Sequence, residues 1–120
     1  MAMRKCVWIL LITLAGTLGA ETAQARPAVE RIVFIDKGSA CECTRKQIDA
    51  VWAMLQKVLA GRKIPVDRLL LDKRPADLRR YRAKREFLAL PSIYFLGSGD
   101  RLIEMLQGDV RERWIRKALR

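Results

Sequence analysis

The sequence contains no histidine. This absence excludes catalysis by a Ser–His or Cys–His pair and every metal site that uses imidazole ligands. Cysteine is scarce, with three residues in 120, and the chain shows neither an internal repeat nor a low-complexity linker. A chain of this length is expected to form a single domain.

The first 25 residues have the three parts of a secretory signal peptide. Arg4 and Lys5 give a charged start, residues 6–15 form an apolar run, and residues 17–25 are small and polar and end in Ala-Gln-Ala. Because the apolar run is short for a membrane span, we predict a cleavable signal peptide over residues 1–25, with an uncleaved anchor as the alternative. Cleavage removes Cys6 and leaves a domain over residues 26–120, exported to the bacterial periplasm, where disulfides persist.

Basic residues outnumber acidic ones, and the net charge is +11. Loss of Arg4, Lys5 and Glu21 with the signal peptide leaves 22 basic and 12 acidic residues, a net charge of +10. An exported protein rarely meets nucleic acid, so we expect no nucleic-acid partner. The excess of positive charge is explained by a solvated face, or by binding to an acidic partner protein or to an anionic membrane surface. It is densest in the second predicted helix, at Arg79, Arg80, Arg82, Lys84 and Arg85.

Hydrophobic patterns predict the element order β-α-β-α-β-β-α. Strands are expected at residues 31–35, 66–71, 92–96 and 101–106, with a turn at residues 97–100. The first helix is expected at residues 44–60 with Gly61 as its C-cap, and the second begins at Pro75. Asp109 and Glu112 resemble a capping box for the last helix. Its buried stripe is expected to contain Val110, Trp114, Ile115, Ala118 and Leu119.

Two cysteines, Cys41 and Cys43, lie where the first predicted strand turns into the first predicted helix. Backbone N–H groups point outward there and the helix dipole is positive, so a thiol loses its proton more easily. Lys37, Arg45 and Lys46 are expected to favour the thiolate further, and Glu42 to oppose it. We predict that Cys41 is the attacking thiol, because it is nearer the exposed turn, and that Cys43 resolves the mixed disulfide.

The element order and the local motifs resemble those of thioredoxin-like proteins over nearly all of the segment after residue 25. The cysteine motif lies between the first strand and the first helix, and Pro91 stands directly before the third strand. The resemblance implies an α/β thioredoxin-like fold with a central four-stranded mixed sheet, no cofactor, and thiol–disulfide exchange with protein thiols and disulfides or a redox partner protein. It also implies a cis Leu90–Pro91 bond that lies against the active-site cysteine, with the backbone of Leu90 binding substrate chains. The alternative is a trans proline at the start of an edge strand.

The cysteine motif departs from the family's Cys-x-x-Cys pattern. Two alignments are open: either Cys41 is the nucleophile and Thr44 occupies the resolving position, or Cys43 holds the second position and Cys41 a shifted first position. A Cys-x-Cys disulfide closes a tighter ring, which predicts a strained bond that exchanges readily. Asp36 is the only nearby candidate for the family's buried acid, and its spacing differs from the family's.

We predict that the chain is an enzyme, a thiol–disulfide oxidoreductase that acts through Cys41 and Cys43 without a metal. Three alternatives use the same residues. In the first, the cysteine pair forms a structural disulfide. In the second, the fold is a non-catalytic binding module that docks a partner through Pro91 and the basic helix, and Thr44 in the resolving position would fit this role. In the third, the two thiolates bind Cu(I) in a two-coordinate site. Two cysteines without histidine cannot form a tetrahedral zinc site within one chain.

Overall fold

The computed structural model describes residues 27–120. The predicted signal peptide at residues 1–25, with Cys6, lies outside the described residues. The described part contains four strands and three α-helices in the order β-α-β-α-β-β-α, which confirms the predicted element order. None of the helices in this part is long and apolar enough to cross a membrane.

Each predicted strand and helix forms within a few residues of its expected bounds. A 3₁₀ turn at Ser98–Asp100 follows the third strand, where a turn is expected. The elements are β1 at Arg31–Asp36, α1 at Glu42–Leu59, β2 at Val66–Leu70, α2 at Pro75–Lys84, β3 at Ser92–Leu96, β4 at Leu102–Gln107 and α3 at Glu112–Ala118.

The four strands form one mixed sheet in the order β2-β1-β3-β4. Strand β1 pairs parallel with β2 and antiparallel with β3, and β3 pairs antiparallel with β4. Because β1 and β3 are central, their apolar runs are buried on both faces, as continuous rather than alternating hydrophobic patterns indicate.

Alternation along the strands divides the core into two layers. Ile32 and Phe34 of β1 face α1 and α3. Val33 and Ile35 face the opposite layer, where Leu78 and Tyr81 of α2 cover them. Full burial of such a side chain contributes roughly 1.5–3 kcal/mol, so both layers hold β1 firmly. The segment that carries the cysteines therefore begins at a firmly held position, the end of β1 at Asp36.

The expected capping box of the last helix does not form. Arg111 is the N-cap residue of α3, and no side chain caps the helix. Glu112 bonds instead to Lys57 of α1 at 3.1 Å and to Arg116 at 3.6 Å. The carboxylate therefore joins two helices through ion pairs, and Asp109 stays exposed outside the helix.

The prediction that Trp114 is buried in α3 is wrong. Its side chain is 38% exposed, whereas its neighbour Ile115 is fully buried. Successive residues of a helix are about 100° apart around the axis. Ile115 and Ala118 occupy the buried side of α3, and Trp114 lies outside it.

Candidate thiol site

Cys41 is the N-cap residue of α1, and its thiol is exposed. Its backbone is extended, with φ −63° and ψ 162°, and its carbonyl accepts the amide hydrogen of Arg45 at 2.8 Å. The helix begins at Glu42, two residues earlier than expected, so Cys43 lies inside its first turn. The sulfur of Cys41 therefore lies at the helix end where amide groups lack partners within the helix.

Thr44 is the immediate partner of the Cys41 thiol. Cys41 Sγ lies 3.1 Å from Thr44 Oγ1. The hydroxyl of Thr44, and after it the backbone N–H of the same residue, lower the pKa of the Cys41 thiol below its ordinary value. Donors beside the sulfur stabilise the thiolate, which is the nucleophilic form. Of the two alignments, this geometry favours the one in which Thr44 occupies the resolving position.

Cys43 is an exposed free thiol in the first turn of α1. It does not border the cleft that Cys41 and Thr44 line. Residues two positions apart on a helix do not face each other. The structure therefore places the side chains of Cys41 and Thr44 together and leaves the thiol of Cys43 outside that contact.

A cleft of about 610 Å³ opens beside the Cys41 thiol. Its other wall is the segment between α2 and β3. Of the residues expected to modulate the thiol, Lys37 borders the cleft, whereas Glu42 lies outside it and pairs with Lys46 at 3.3 Å. The remaining lining residues are Ala40, Cys41, Thr44, Gln47, Leu71, Arg82, Phe87, Leu88, Ala89 and Leu90.

The Leu90–Pro91 peptide bond is cis. Leu90 borders the cleft together with Cys41, and Pro91 is buried behind it. The Pro91 carbonyl accepts the amide hydrogen of Gly108 at 2.9 Å. Within residues 27–120, no hydrogen bond engages the amide or the carbonyl of Leu90. These two main-chain groups can therefore pair with an extended segment that enters the cleft.

Gln107 fixes the segment that carries Leu90, a role that sequence reasoning missed. Its Oε1 accepts the amide hydrogens of Leu88 at 2.6 Å and of Ala89 at 3.2 Å. The hydroxyl of Ser92 donates to the carbonyl of Ala89 at 2.6 Å. Because Gln107 ends β4, the contact forms only when the sheet is assembled, and no local pattern predicts it.

Asp72 fixes the segment on the other side of the cleft and was also missed. Its carboxylate accepts the amide hydrogens of Gly38 at 2.9 Å and Ser39 at 3.1 Å, and the hydroxyl of Ser39 at 3.1 Å. The amide of Gly38 is the main cause that lowers the pKa of Asp72. A Cβ at Gly38 would lie 3.2 Å from the carboxylate oxygens, so glycine permits this close approach.

Asp36 is the buried acid of the site, with only 1% of its surface exposed. Its carboxylate lies 3.0 Å from the guanidinium of Arg45 and 2.6 Å from that of Arg68. Burial by itself raises the pKa of Asp36, but the hydrogen bonds from Arg45 and Arg68 outweigh burial and hold it below its usual value. Asp36 therefore stays ionised and ties β1 to α1 and β2, rather than holding a proton for a thiol.

The described residues provide no cluster of three or more cysteine, aspartate or glutamate side chains that could hold a metal ion. A two-coordinate Cu(I) site would need the sulfurs of both Cys41 and Cys43 on one ion.

Comparison with known proteins supports the fold. No protein-family model matches the sequence, and no curated protein sequence matches it. The structure is similar to that of a thioredoxin-2, described as a component of malaria parasite protein secretion machinery. The match covers 72% of this chain and 81% of that chain, with 20% sequence identity and a TM-score of 0.52. The predicted thioredoxin-like fold, with its four-stranded mixed sheet, is therefore confirmed.

Proposed function

We propose that the protein is an exported thiol–disulfide oxidoreductase that acts on protein substrates through Cys41. The observation that carries this proposal is the contact of Cys41 with Thr44 at the start of α1. It gives an exposed thiol with a lowered pKa beside a cleft. The thioredoxin-like fold supports thiol chemistry at this position, and the pattern of residues 1–25 supports export.

In the first step, the thiolate of Cys41 attacks one sulfur of a substrate disulfide. Its electron pair forms the new S–S bond, the substrate's S–S bond breaks, and the second substrate sulfur leaves as a thiolate. The hydroxyl of Thr44 donates to Cys41 Sγ before the attack, so it stabilises the nucleophile. The free amide and carbonyl of Leu90 align the substrate chain beside the sulfur, next to Pro91.

In the second step, Cys43 gives its proton to water, and its thiolate attacks Cys41 Sγ of the mixed disulfide. The remaining substrate sulfur leaves as a thiolate, and a Cys41–Cys43 disulfide forms, so two electrons pass from the protein to the substrate. Because Cys43 lies inside the first helical turn and does not face Cys41, this turn has to open. We therefore expect the second step to be slower than the first.

The decisive experiment combines a redox titration with thiol alkylation and two substitutions. We expect a reduction potential between about −100 and −280 mV, whereas a structural disulfide would lie below about −300 mV. Cys41→Ser should abolish insulin reduction, and Cys43→Ser should accumulate mixed disulfides. If both variants reduce insulin as the wild type does, the proposed chemistry is wrong.

A non-catalytic binding module is the second candidate, because Thr44 rather than Cys43 contacts the Cys41 thiol. A module of this kind would capture a partner as a mixed disulfide and not release it. It predicts equal capture by the wild type and Cys43→Ser, with no turnover in either. Turnover that depends on Cys43 would exclude it.

A further inference from the structure

Among residues 27–120, two cations and no acidic side chain border the cleft beside Cys41. Lys37 forms no ion pair within residues 27–120. The guanidinium of Arg82 lies over the ring of Phe87, 4.5 Å from its centroid, and 4.0 Å from Glu86. An ion pair of that length between exposed side chains is weak. Both cations are therefore available to a negatively charged ligand.

A large apolar side chain stands at the rim of the same cleft. Leu88 is 88% exposed, whereas its neighbour Phe87 is buried. The hydrogen bond from the Leu88 amide to Gln107 at 2.6 Å holds this exposed position. Leu71 and Leu90 continue the apolar surface inside the cleft. The cleft thus offers an apolar contact together with two positive charges.

The exposed basic side chains of α2 extend the positive surface beyond the cleft. Arg79, Lys84 and Arg85 have no ion pairs within the described part of the chain. Arg79 and Lys84 lie on the helix that contributes Arg82 to the cleft wall, and Arg85 is the C-cap residue of that helix. A cleft lined by charges of one sign concentrates the electric field and attracts ligands of the opposite sign.

We infer that the cleft selects protein substrates whose reactive cysteine is flanked by acidic and apolar residues. Lys37 and Arg82 bind the carboxylates, and Leu88 contacts the apolar side chain. This inference rests on the proposed exchange function, since the attacked sulfur has to lie at Cys41, and it adds the class of substrate.

The test uses two peptides that differ only in the residues that flank one cysteine: leucine with glutamate in one, leucine with lysine in the other. Each cysteine is blocked as a mixed disulfide with 2-thiopyridine. Attack of Cys41 on the peptide sulfur breaks that bond and releases 2-thiopyridone, whose absorbance gives the rate. Rates of Cys41→Ser are subtracted. We expect the acidic peptide to react roughly tenfold faster at low salt, with the difference shrinking as salt is added.

Matched charge variants distinguish the effect of the cleft on peptide preference from the effect of the overall positive charge. Lys37→Gln and Arg82→Gln should each reduce the preference for the acidic peptide severalfold, while Arg82→Lys should keep most of it. Arg113→Gln removes the same charge from an exposed position of α3 and should leave the preference unchanged. Equal rates for the two peptides, or an equal effect of Arg113→Gln and Arg82→Gln, would overturn the inference.

Two further measurements keep the outcomes distinct. If neither peptide reacts faster than with Cys41→Ser, the proposed exchange function fails. Fluorescent peptides with serine in place of cysteine then report binding alone, and equal binding of both would reject the acidic substrate class. Binding to phosphatidylglycerol vesicles that depends on Arg82, without any peptide preference, would assign the surface to a membrane instead and overturn the inference.

Discussion

Replacement of Asp36 by asparagine should destabilise the fold more than any comparable change at the site. The carboxylate is 1% exposed. It accepts hydrogen bonds from Arg68 Nε at 2.9 Å, from the terminal nitrogen of Arg68 at 2.6 Å and from Arg45 at 3.1 Å. The amide of Lys37 donates to the other oxygen at 2.6 Å. Asparagine keeps the size of the side chain and removes its charge.

The magnitude follows from the two arginine contacts. Hydrogen bonds to a charged group contribute about 1.5–3 kcal/mol, and neutral ones about 0.5–1.5 kcal/mol. Loss of the charge therefore costs about 1 kcal/mol at each arginine. The side chains of Arg45 and Arg68 are 30% and 34% exposed, so both can regain water. We expect Asp36→Asn to lower the free energy of unfolding by about 2 kcal/mol, which is roughly 8–16 °C in Tm for a domain of this size.

Urea unfolding, monitored by tryptophan fluorescence, measures this change. An unchanged dependence of the unfolding free energy on urea concentration indicates that stability alone is affected. Asp49→Asn is the matched control. Its carboxylate also bonds to Arg45, at 2.9 Å, but is 59% exposed. The control should therefore lose less than about 0.5 kcal/mol. A loss at Asp36 no larger than that at Asp49 would refute the assignment of Asp36 as the anchor of the three elements.

The pH dependence of the same pair of proteins checks the direction of the pKa shift. The pKa of Asp36 is lower in the folded protein than its usual value. The stability that ionised Asp36 contributes is therefore complete above the unfolded pKa of about 3.9, and it is lost as the pH falls through the lower folded pKa. The gap between the wild type and Asp36→Asn should stay constant from about pH 7 to about pH 5 and close only below about pH 4. A gap that closes between pH 7 and pH 5 would mean that Asp36 binds a proton in the working range.

Two further predictions concern the segments that hold Cys41. Thr44→Val removes the hydroxyl that lowers the pKa of the Cys41 thiol, so iodoacetamide should alkylate Cys41 more slowly at neutral pH. Thr44→Ser keeps a hydroxyl and should retain the wild-type rate. An unchanged alkylation rate in Thr44→Val would contradict the role of the hydroxyl. Asp72→Asn weakens the contacts to the amides of Gly38 and Ser39. Hydrogen exchange at both amides should accelerate, with little change in the exchange of the core strands. Unaltered exchange at both amides would show that Asp72 does not order the segment.

The contact between Cys41 and Thr44 bears on the proposed roles of the two cysteines. A Cys-x-Cys pair suggests two thiols that share one task. In the structure the hydroxyl of Thr44 lies 3.1 Å from the Cys41 sulfur, while Cys43 lies in the first turn of α1. Under the proposed mechanism, attack by Cys41 needs the first turn of α1 formed, whereas resolution by Cys43 needs it open.

The sequence predicts much of the fold because the strongest patterns are local. The apolar run of β1 indicates burial on both faces, and the stripe of α1 is buried at Ile48, Val51 and Leu55 as its period requires. The errors occur where local patterns have competing solutions. Glu112 could cap its own helix or pair with Lys57 of α1, and the tertiary packing of α1 beside α3 favoured the pair.

The sequence by itself determines the excess of positive charge, which follows from composition. It also determines the thioredoxin-like element order and the position of Cys41 at the start of a helix, because both depend on residues close together in the chain. Only the tertiary structure decides what surrounds that cysteine. Asp72 lies more than thirty positions from the amides it holds, and Gln107 lies nineteen from Leu88. Arg68 reaches Asp36 across two paired strands. Contacts of this range depend on how the sheet and helices assemble. They fix the segments that form a positively charged cleft beside the exposed thiol of Cys41.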